Sequence, residues 1–137
     1  SISYTGNNRT HMIRVPDKGR FELRLMDGAV NPYLLQAGIV AAGLHGMNNK
    51  INPGNPLSCN MYTDHKNYPN LKKLPDTIED ALKQLESSKE IIKAFGHDTI
   101  DSYLKLKRSE IENFNQNERF DKKSLVTHWE KNSTLDC

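Results

Sequence analysis

Four arginines, Arg9, Arg14, Arg20 and Arg24, fall within sixteen residues near the start of this 137-residue chain, and Glu22 stands in their midst. Guanidinium groups fork onto carboxylates and phosphates in a planar, bidentate way that lysine cannot copy. Several of them converging without matching acids repel one another unless an anion supplies the missing charge. Glu22 is a hard-oxygen donor of the kind a divalent metal takes, and such metals accompany nucleotide phosphates. Phosphoryl transfer needs these parts together: positive groups around the migrating phosphoryl, and a metal bridging its oxygens. Salt-bridged structural arginines have the same composition, so both readings stand at this point.

The elements that must position these groups follow from periodicity. In RFELRL, Arg20, Glu22 and Arg24 alternate with Phe21, Leu23 and Leu25. This is the period of a β-strand, with the apolar row on a core and the charged trio on the opposite face. Residues 11 to 15 (HMIRV) form an earlier strand, stopped by Pro16, and PDKG (Pro16 to Gly19) is a tight turn between the two. The two strands make a β-hairpin on which Arg14, depending on register, shares a side with Arg20, Glu22 and Arg24. A solvated strand face with weak cross-strand ion pairs has the same spacing as a charged site.

Downstream, Asn31 is an N-cap with Pro32 at the first helical position, opening a helix to about Leu44 that is apolar nearly all round. Such a helix is expected to be buried, and its Ala and Gly residues admit another backbone. Residues 46 to 75 carry four prolines with many Asn and Gly and read as a long loop. Helices then follow over Thr77 to Glu86, with Thr77 as N-cap, over Lys89 to Phe95, closed by Gly96, and over Asp98 to about Asn115. A last amphipathic stretch runs from Lys122 to Lys131. The fold class is therefore α+β, a β-hairpin followed by a helical bundle, with no internal repeats.

Bulk properties narrow the partners. Lys plus Arg is 19 and Asp plus Glu 17, a net charge of +2 spread along the chain, which is no footprint for nucleic acid. Cys59 and Cys137 lie far apart and give neither a disulfide framework nor metal-ligand spacing, as suits a reducing, cytoplasmic setting. No apolar run is long enough for a transmembrane helix. The opening SISYTGNNRTHMIRV has no initiator Met and is densely polar at once, so a piece of something longer is expected.

The stretches NNRTHMIRVP and RFELRLMDGAVNPYLLQAGIVAAGLHGMNNKINPG closely resemble the C-terminal part of the glutamine synthetase catalytic domain. The family pattern is Asn-Arg, a second Arg five residues on, an Arg-x-Glu-x-Arg strand and an Asp-x-x-x-Asn-Pro-Tyr helix start. This chain matches it at Asn8, Arg9, Arg14, Arg20, Glu22, Arg24, Asp27, Asn31, Pro32 and Tyr33. The downstream helices and the terminal VTHWEKNSTLD also look like the family's C-terminus, so the resemblance covers nearly the whole chain. The branch it is most similar to holds type III glutamate–ammonia ligase and γ-glutamylmethylamide synthetase.

By that resemblance Arg9 stabilises the phosphoryl group passing from ATP to the glutamate side chain, and Arg14 and Arg20 bind ATP phosphates. Glu22 corresponds to a ligand of Mg²⁺ or Mn²⁺, and Arg24 to the arginine that holds substrate glutamate. The implied reaction forms γ-glutamyl phosphate and amidates it with ammonia, or with methylamine as the alternative. The β-grasp domain, the other metal ligands and the flap glutamate of the family are absent here. The family's site also borrows residues from a neighbouring subunit, so a homo-oligomer is implied and the isolated piece is expected to be inactive. Without its covering sheet, the apolar helix is expected to be partly exposed and to self-associate. His11 stands where many members have a small residue and is expected to neighbour the site without acting as its base. Tyr62 lies near the tyrosine that bacterial members adenylylate, in a loop that matches poorly. The competing readings are a non-catalytic relative that keeps the fold for assembly, and a hairpin-plus-bundle binder of an acidic peptide. The second leaves the NPY helix and the C-terminal matches unexplained.

Overall fold

A computed structural model describes residues 1–117 and 126–134. The chain divides into two compact units, Ser1–Gly28 with Lys50–Ile78, and Ala29–Asn49 with Glu79–Cys137. The first unit carries a three-stranded sheet in the order β1 (Tyr4–Thr5), β2 (Ile13–Asp17), β3 (Arg20–Leu23). Strands β2 and β3 form the expected antiparallel hairpin, with Ile13 opposite Leu23, Arg14 opposite Glu22 and Asp17 opposite Arg20.

At the open end of the hairpin both strands are shorter than the sequence suggests, β2 starting at Ile13 and β3 ending at Leu23. Two further details depart from expectation. Pro16 does not stop β2, which runs through it to Asp17, and the register shifts between Arg14 and Asp17. A proline has no N–H to give the ladder, so a strand accepts it at such an irregularity. The turn therefore shrinks to Lys18 and Gly19, and Gly19 takes a φ of 76° that a side chain would resist. The second departure is β1, which pairs in parallel with β2, Tyr4 opposite Ile13 and Thr5 opposite Arg14. Two residues carry no periodicity, so nothing local announces this strand.

The apolar row of β3 is not covered as expected. Phe21 is 61% exposed and Leu25 43%, and only Leu23 is half-buried. The one buried apolar side chain of this unit is Met61, in the short helix α2 (Met61–Asp64), which with a 3₁₀ turn at His65–Asn67 interrupts the predicted long loop. The rest of that loop is tied to β1 by hydrogen bonds, Leu57 N to the Tyr4 carbonyl at 3.0 Å and the Tyr4 hydroxyl to the Gly54 carbonyl at 2.7 Å.

The second unit is helical. Helix α1 (Pro32–Asn48) starts as predicted, with the Asn31 side chain accepting from the N–H groups of Tyr33 and Leu34 at 3.0 and 3.1 Å, and ends a turn later than predicted. It buries none of its residues, and Tyr33, Val40, Leu44 and Met47 are all exposed, contrary to the buried helix read from its composition. A helix apolar nearly all round has no face to spare for solvent. Within its own unit it packs against α4 (Lys89–Phe95), which half-buries Ile39 and Ala41 but leaves most of its surface open. Helices α3 (Ile78–Ser87), α4 and α5 (His97–Asn117) follow close to their predicted bounds. Ser88 caps α4, and Gly96, at a φ of 83°, closes it.

Leu82, Ile100 and Leu104 form the buried cluster of this unit, with Leu85, Ile91, Ile92, Phe95, Tyr103 and Ile111 packed against it. Arg108 on α5 donates to Glu86 on α3 at 2.8 Å. Helix α6 (His128–Thr134) opens on a reciprocal cap: Thr127 N donates to the Glu130 carboxylate at 2.7 Å, and Glu130 N donates to the Thr127 hydroxyl at 3.1 Å. Trp129 meets Phe114 edge to face at 5.5 Å, which sets α6 on the end of α5. The predicted last helix began at Lys122, and residues 122 to 125 lie outside the described residues.

Two outcomes are expected. Leu104→Ala, at the centre of the cluster, lowers the stability of the helical unit by about 2–5 kcal/mol in urea unfolding followed by circular dichroism. The isolated chain self-associates in light scattering, and Val40→Glu with Met47→Glu reduces that association without loss of helix signal.

Candidate functional site

The charged face of the hairpin is built from the register. Because Arg14 lies opposite Glu22, the Arg14 Nη1 donates to Glu22 Oε2 at 2.7 Å, and Arg24, two residues along, donates through Nη1 to the other oxygen, Oε1. One carboxylate thus sits between two guanidinium groups. Arg14 is held again from behind, where its Nε donates to Asn7 Oδ1 at 3.0 Å and its Nη2 to the same oxygen. The Arg14 side chain is 14% exposed, Arg24 31% and Glu22 38%. Hydrogen bonds from Arg14 and then Arg24 hold the Glu22 carboxyl below the usual carboxylate range, and the charges of both act the same way.

Arg9 and Arg24 line one cleft of about 460 Å³, together with Met12, Leu25, Tyr62 and Tyr68. Arg9 is exposed and takes no part in the ion pairs with Glu22. The Cys59 side chain beside Tyr68, with a smaller effect of the Asp64 charge, pushes the tyrosine's phenol above the usual range. Tyr62 stands 73% exposed at the start of α2. Arg20 is the outlier. It is exposed beside the turn, opposite Asp17, and neither lines the cleft nor pairs with Glu22. The structure therefore joins Arg14, Glu22 and Arg24 directly, brings Arg9 to the same cleft as Arg24, and leaves Arg20 apart.

Sequence reasoning missed the group that holds the Arg9 loop. Asn8 Oδ1 accepts from Thr10 N at 3.0 Å and from the Thr10 hydroxyl at 2.8 Å, while its Nδ2 donates to the Cys59 carbonyl at 2.8 Å. Met61 N donates to the Thr10 hydroxyl at 3.0 Å. The pattern Asn-x-Thr was a legible turn signal, but its partners some fifty residues away were not.

As a metal ligand, Glu22 fits in donor type, since it is a half-exposed hard-oxygen carboxylate. Among the described residues no group of three or more His, Cys, Asp or Glu stands close enough to hold an ion, so any further ligands would come from other parts of a larger protein.

A hairpin whose carboxylate ties two guanidinium groups together, one of them lining a cleft with Arg9, and a separate helical unit make this an α+β chain. Residues 1–125 match the family described as glutamine synthetase, catalytic domain. The chain belongs to that family. It is 47% identical over 136 residues to a glutamine synthetase of Rhizobium meliloti, covering 99% of this chain and 29% of the relative. It is 38% identical over 138 residues to a glutamate–methylamine ligase of Methyloversatilis universalis, covering 98% of this chain and 29% of that relative. A solved structure of GmaS without ligand superposes with a TM-score of 0.79 at 40% identity, over 100% of this chain and 30% of that one. A GmaS complex with ADP gives the same score and identity over 98% of this chain and 29% of that one. The chain thus spans under a third of the length of these relatives.

The lowered Glu22 pKa gives a signed pH dependence. Its contribution to hairpin stability is complete above the ordinary carboxylate pKa and is lost as pH falls through the lower folded value. In a carboxyl-detected NMR titration, Arg14→Ala and Arg24→Ala each bring the Glu22 midpoint back up, and an unmoved midpoint in both would refute the bridged carboxylate.

Proposed function

We propose that this chain is the C-terminal portion of a glutamine synthetase-type catalytic domain and serves an ATP-dependent carbon–nitrogen ligase. The observation that carries this reading is the opening of Arg9 and Arg24 onto one cleft, with Glu22 tied to Arg24 and Arg14 behind it. The reaction has two steps. A glutamate side-chain oxygen attacks the γ-phosphorus of ATP, and ADP leaves. The amine nitrogen then attacks the acyl carbon of γ-glutamyl phosphate, phosphate leaves, and the nitrogen gives up a proton.

Arg9 carries the catalytic role, placing an unpaired guanidinium where the charge of the migrating phosphoryl group spreads over its oxygens. Arg24 holds the substrate carboxylate, and its bond to Glu22 fixes its direction. Arg14 and Arg20 bind ATP phosphates, with Arg14 the more ordered through Asn7 and Glu22. Glu22 would hold Mg²⁺ or Mn²⁺ together with ligands from the rest of the enzyme, and the metal would neutralise phosphate charge. The partners are glutamate, ATP, the amine, the remainder of the enzyme and neighbouring subunits of a homo-oligomer. The setting is the cytoplasm, where ATP and a free thiol such as Cys59 coexist. Among the described residues no helix is long and apolar enough to cross a membrane.

Ammonia and methylamine are both supported as nitrogen donors, because relatives named for glutamine synthesis and for glutamate–methylamine ligation match nearly the whole chain. Competition between the two amines in the full-length enzyme, resolved by mass of the product, separates them.

In a full-length chain bearing this segment, Arg9→Ala is expected to lower kcat by roughly 10²–10³-fold, with a smaller change in the KM for ATP. Glu22→Ala abolishes biosynthetic turnover. Normal turnover by Arg9→Ala or by Glu22→Ala would overturn the role given to that residue, and a complete lack of turnover in the unaltered full-length protein would leave a non-catalytic relative that keeps the fold.

A further inference from the structure

The loop that presents Arg9 has an unusual task. It runs from Gly6 to Met12 between β1 and β2, which lie parallel. Parallel neighbours are ordinarily joined by a crossover of about a dozen or more residues, so this shorter connection must double back tightly. A loop this short and polar keeps its shape only through bonds to something outside it.

His11 makes two of those bonds. It is 3% exposed, and both ring nitrogens are engaged: Nε2 lies 3.0 Å from the Cys59 carbonyl and Nδ1 3.0 Å from the Ser3 hydroxyl. A carbonyl only accepts, so Nε2 carries a proton, and in the neutral ring Nδ1 accepts from Ser3. The Cys59 carbonyl receives Asn8 Nδ2 as well, at 2.8 Å. Asn8 and His11 therefore grip one acceptor from either side of Arg9, while Thr10 is bonded to Met61 N. The residues around Arg9 turn inward, and Arg9 itself is exposed and reaches the cleft.

We propose that His11 is a positioning residue for Arg9, locking the loop by bridging Ser3 and the Cys59 carbonyl. This rests on the reading of Arg9 as the phosphoryl-stabilising group. His11 is not the base of the reaction, because both of its nitrogens are committed to protein partners. The Ser3–His11 pair is not a nucleophile and its base either, since Ser3 is itself buried at 9% exposure. The carbonyl on the far side of the ring fixes its tautomer and orientation. What the arrangement supplies is direction, and a displacement of about 1 Å in a catalytic group can cost on the order of 10²-fold in rate.

The test is a double-mutant cycle in the full-length enzyme, with kcat, the KM for ATP and the melting temperature measured for each variant. His11→Ala is expected to lower kcat by about 10–100-fold with little change in KM. His11→Gln, whose amide nitrogen can take the place of Nε2 toward Cys59, recovers most of the loss. In an Arg9→Ala background, His11→Ala lowers kcat by less than about twofold, because the group it positions is gone. Equal losses in both backgrounds, or an unchanged kcat in His11→Ala, overturn the proposal and leave His11 a packing residue. If Arg9→Ala alone leaves kcat intact, the role of Arg9 fails first and the positioning role falls with it. Should His11→Ala not fold, Ser3→Ala removes one end of the bridge and must show the same dependence on Arg9.

Discussion

One carboxylate between two guanidinium groups is the contact on which the charged face of this hairpin depends. Glu22 takes Arg14 on one oxygen and Arg24 on the other. Without it, two cations on neighbouring extended segments would be driven apart and outward by their own repulsion. With it, they share one acceptor and present their remaining donors in a fixed direction. The pairs are partly exposed, so their contribution to stability is modest and falls with salt. Their value is geometric. They keep two positive groups close together on one face of the hairpin.

The two units of the chain are stabilised by different physics. In the helical unit an apolar cluster around Leu82, Ile100 and Leu104 excludes water, and its helices are ordered by that burial. In the hairpin unit the buried groups are Ser3, Thr5, His11 and Met61, three polar and one apolar. Order there comes from directional bonds, each worth roughly 1 kcal/mol net. Directional bonds specify positions more sharply than apolar contact does. They fix the loop that carries Arg9 and the chain at Arg24.

Large apolar surfaces remain open. Phe21 on β3, Leu25 just past its end, and Tyr33, Val40, Leu44 and Met47 along α1 are exposed. Apolar surface of this kind is ordinarily covered by another layer of protein. The chain spans about 29% of the length of the relatives it matches, so their folds contain far more structure than is present here. The alternation in RFELRL names the side of the strand that seeks cover, but it does not say what provides it.

The residues alone determined whatever depends on neighbours in the chain. Asn31 and Pro32 start α1, Gly96 closes α4, and the alternation from Arg20 to Leu25 sets the charged side of the hairpin. The family motif likewise named Arg9, Arg14, Arg20, Glu22 and Arg24 from their order and spacing. Only the tertiary structure decided that β2 runs through Pro16, that a two-residue strand pairs alongside it, and that Arg20 stands away from the cleft its neighbours share. It also turned His11 inward, onto a carbonyl forty-eight residues away. Caps and alternation are written in local backbone geometry, whereas register shifts and bonds across long separations depend on which surfaces meet when the chain closes on itself.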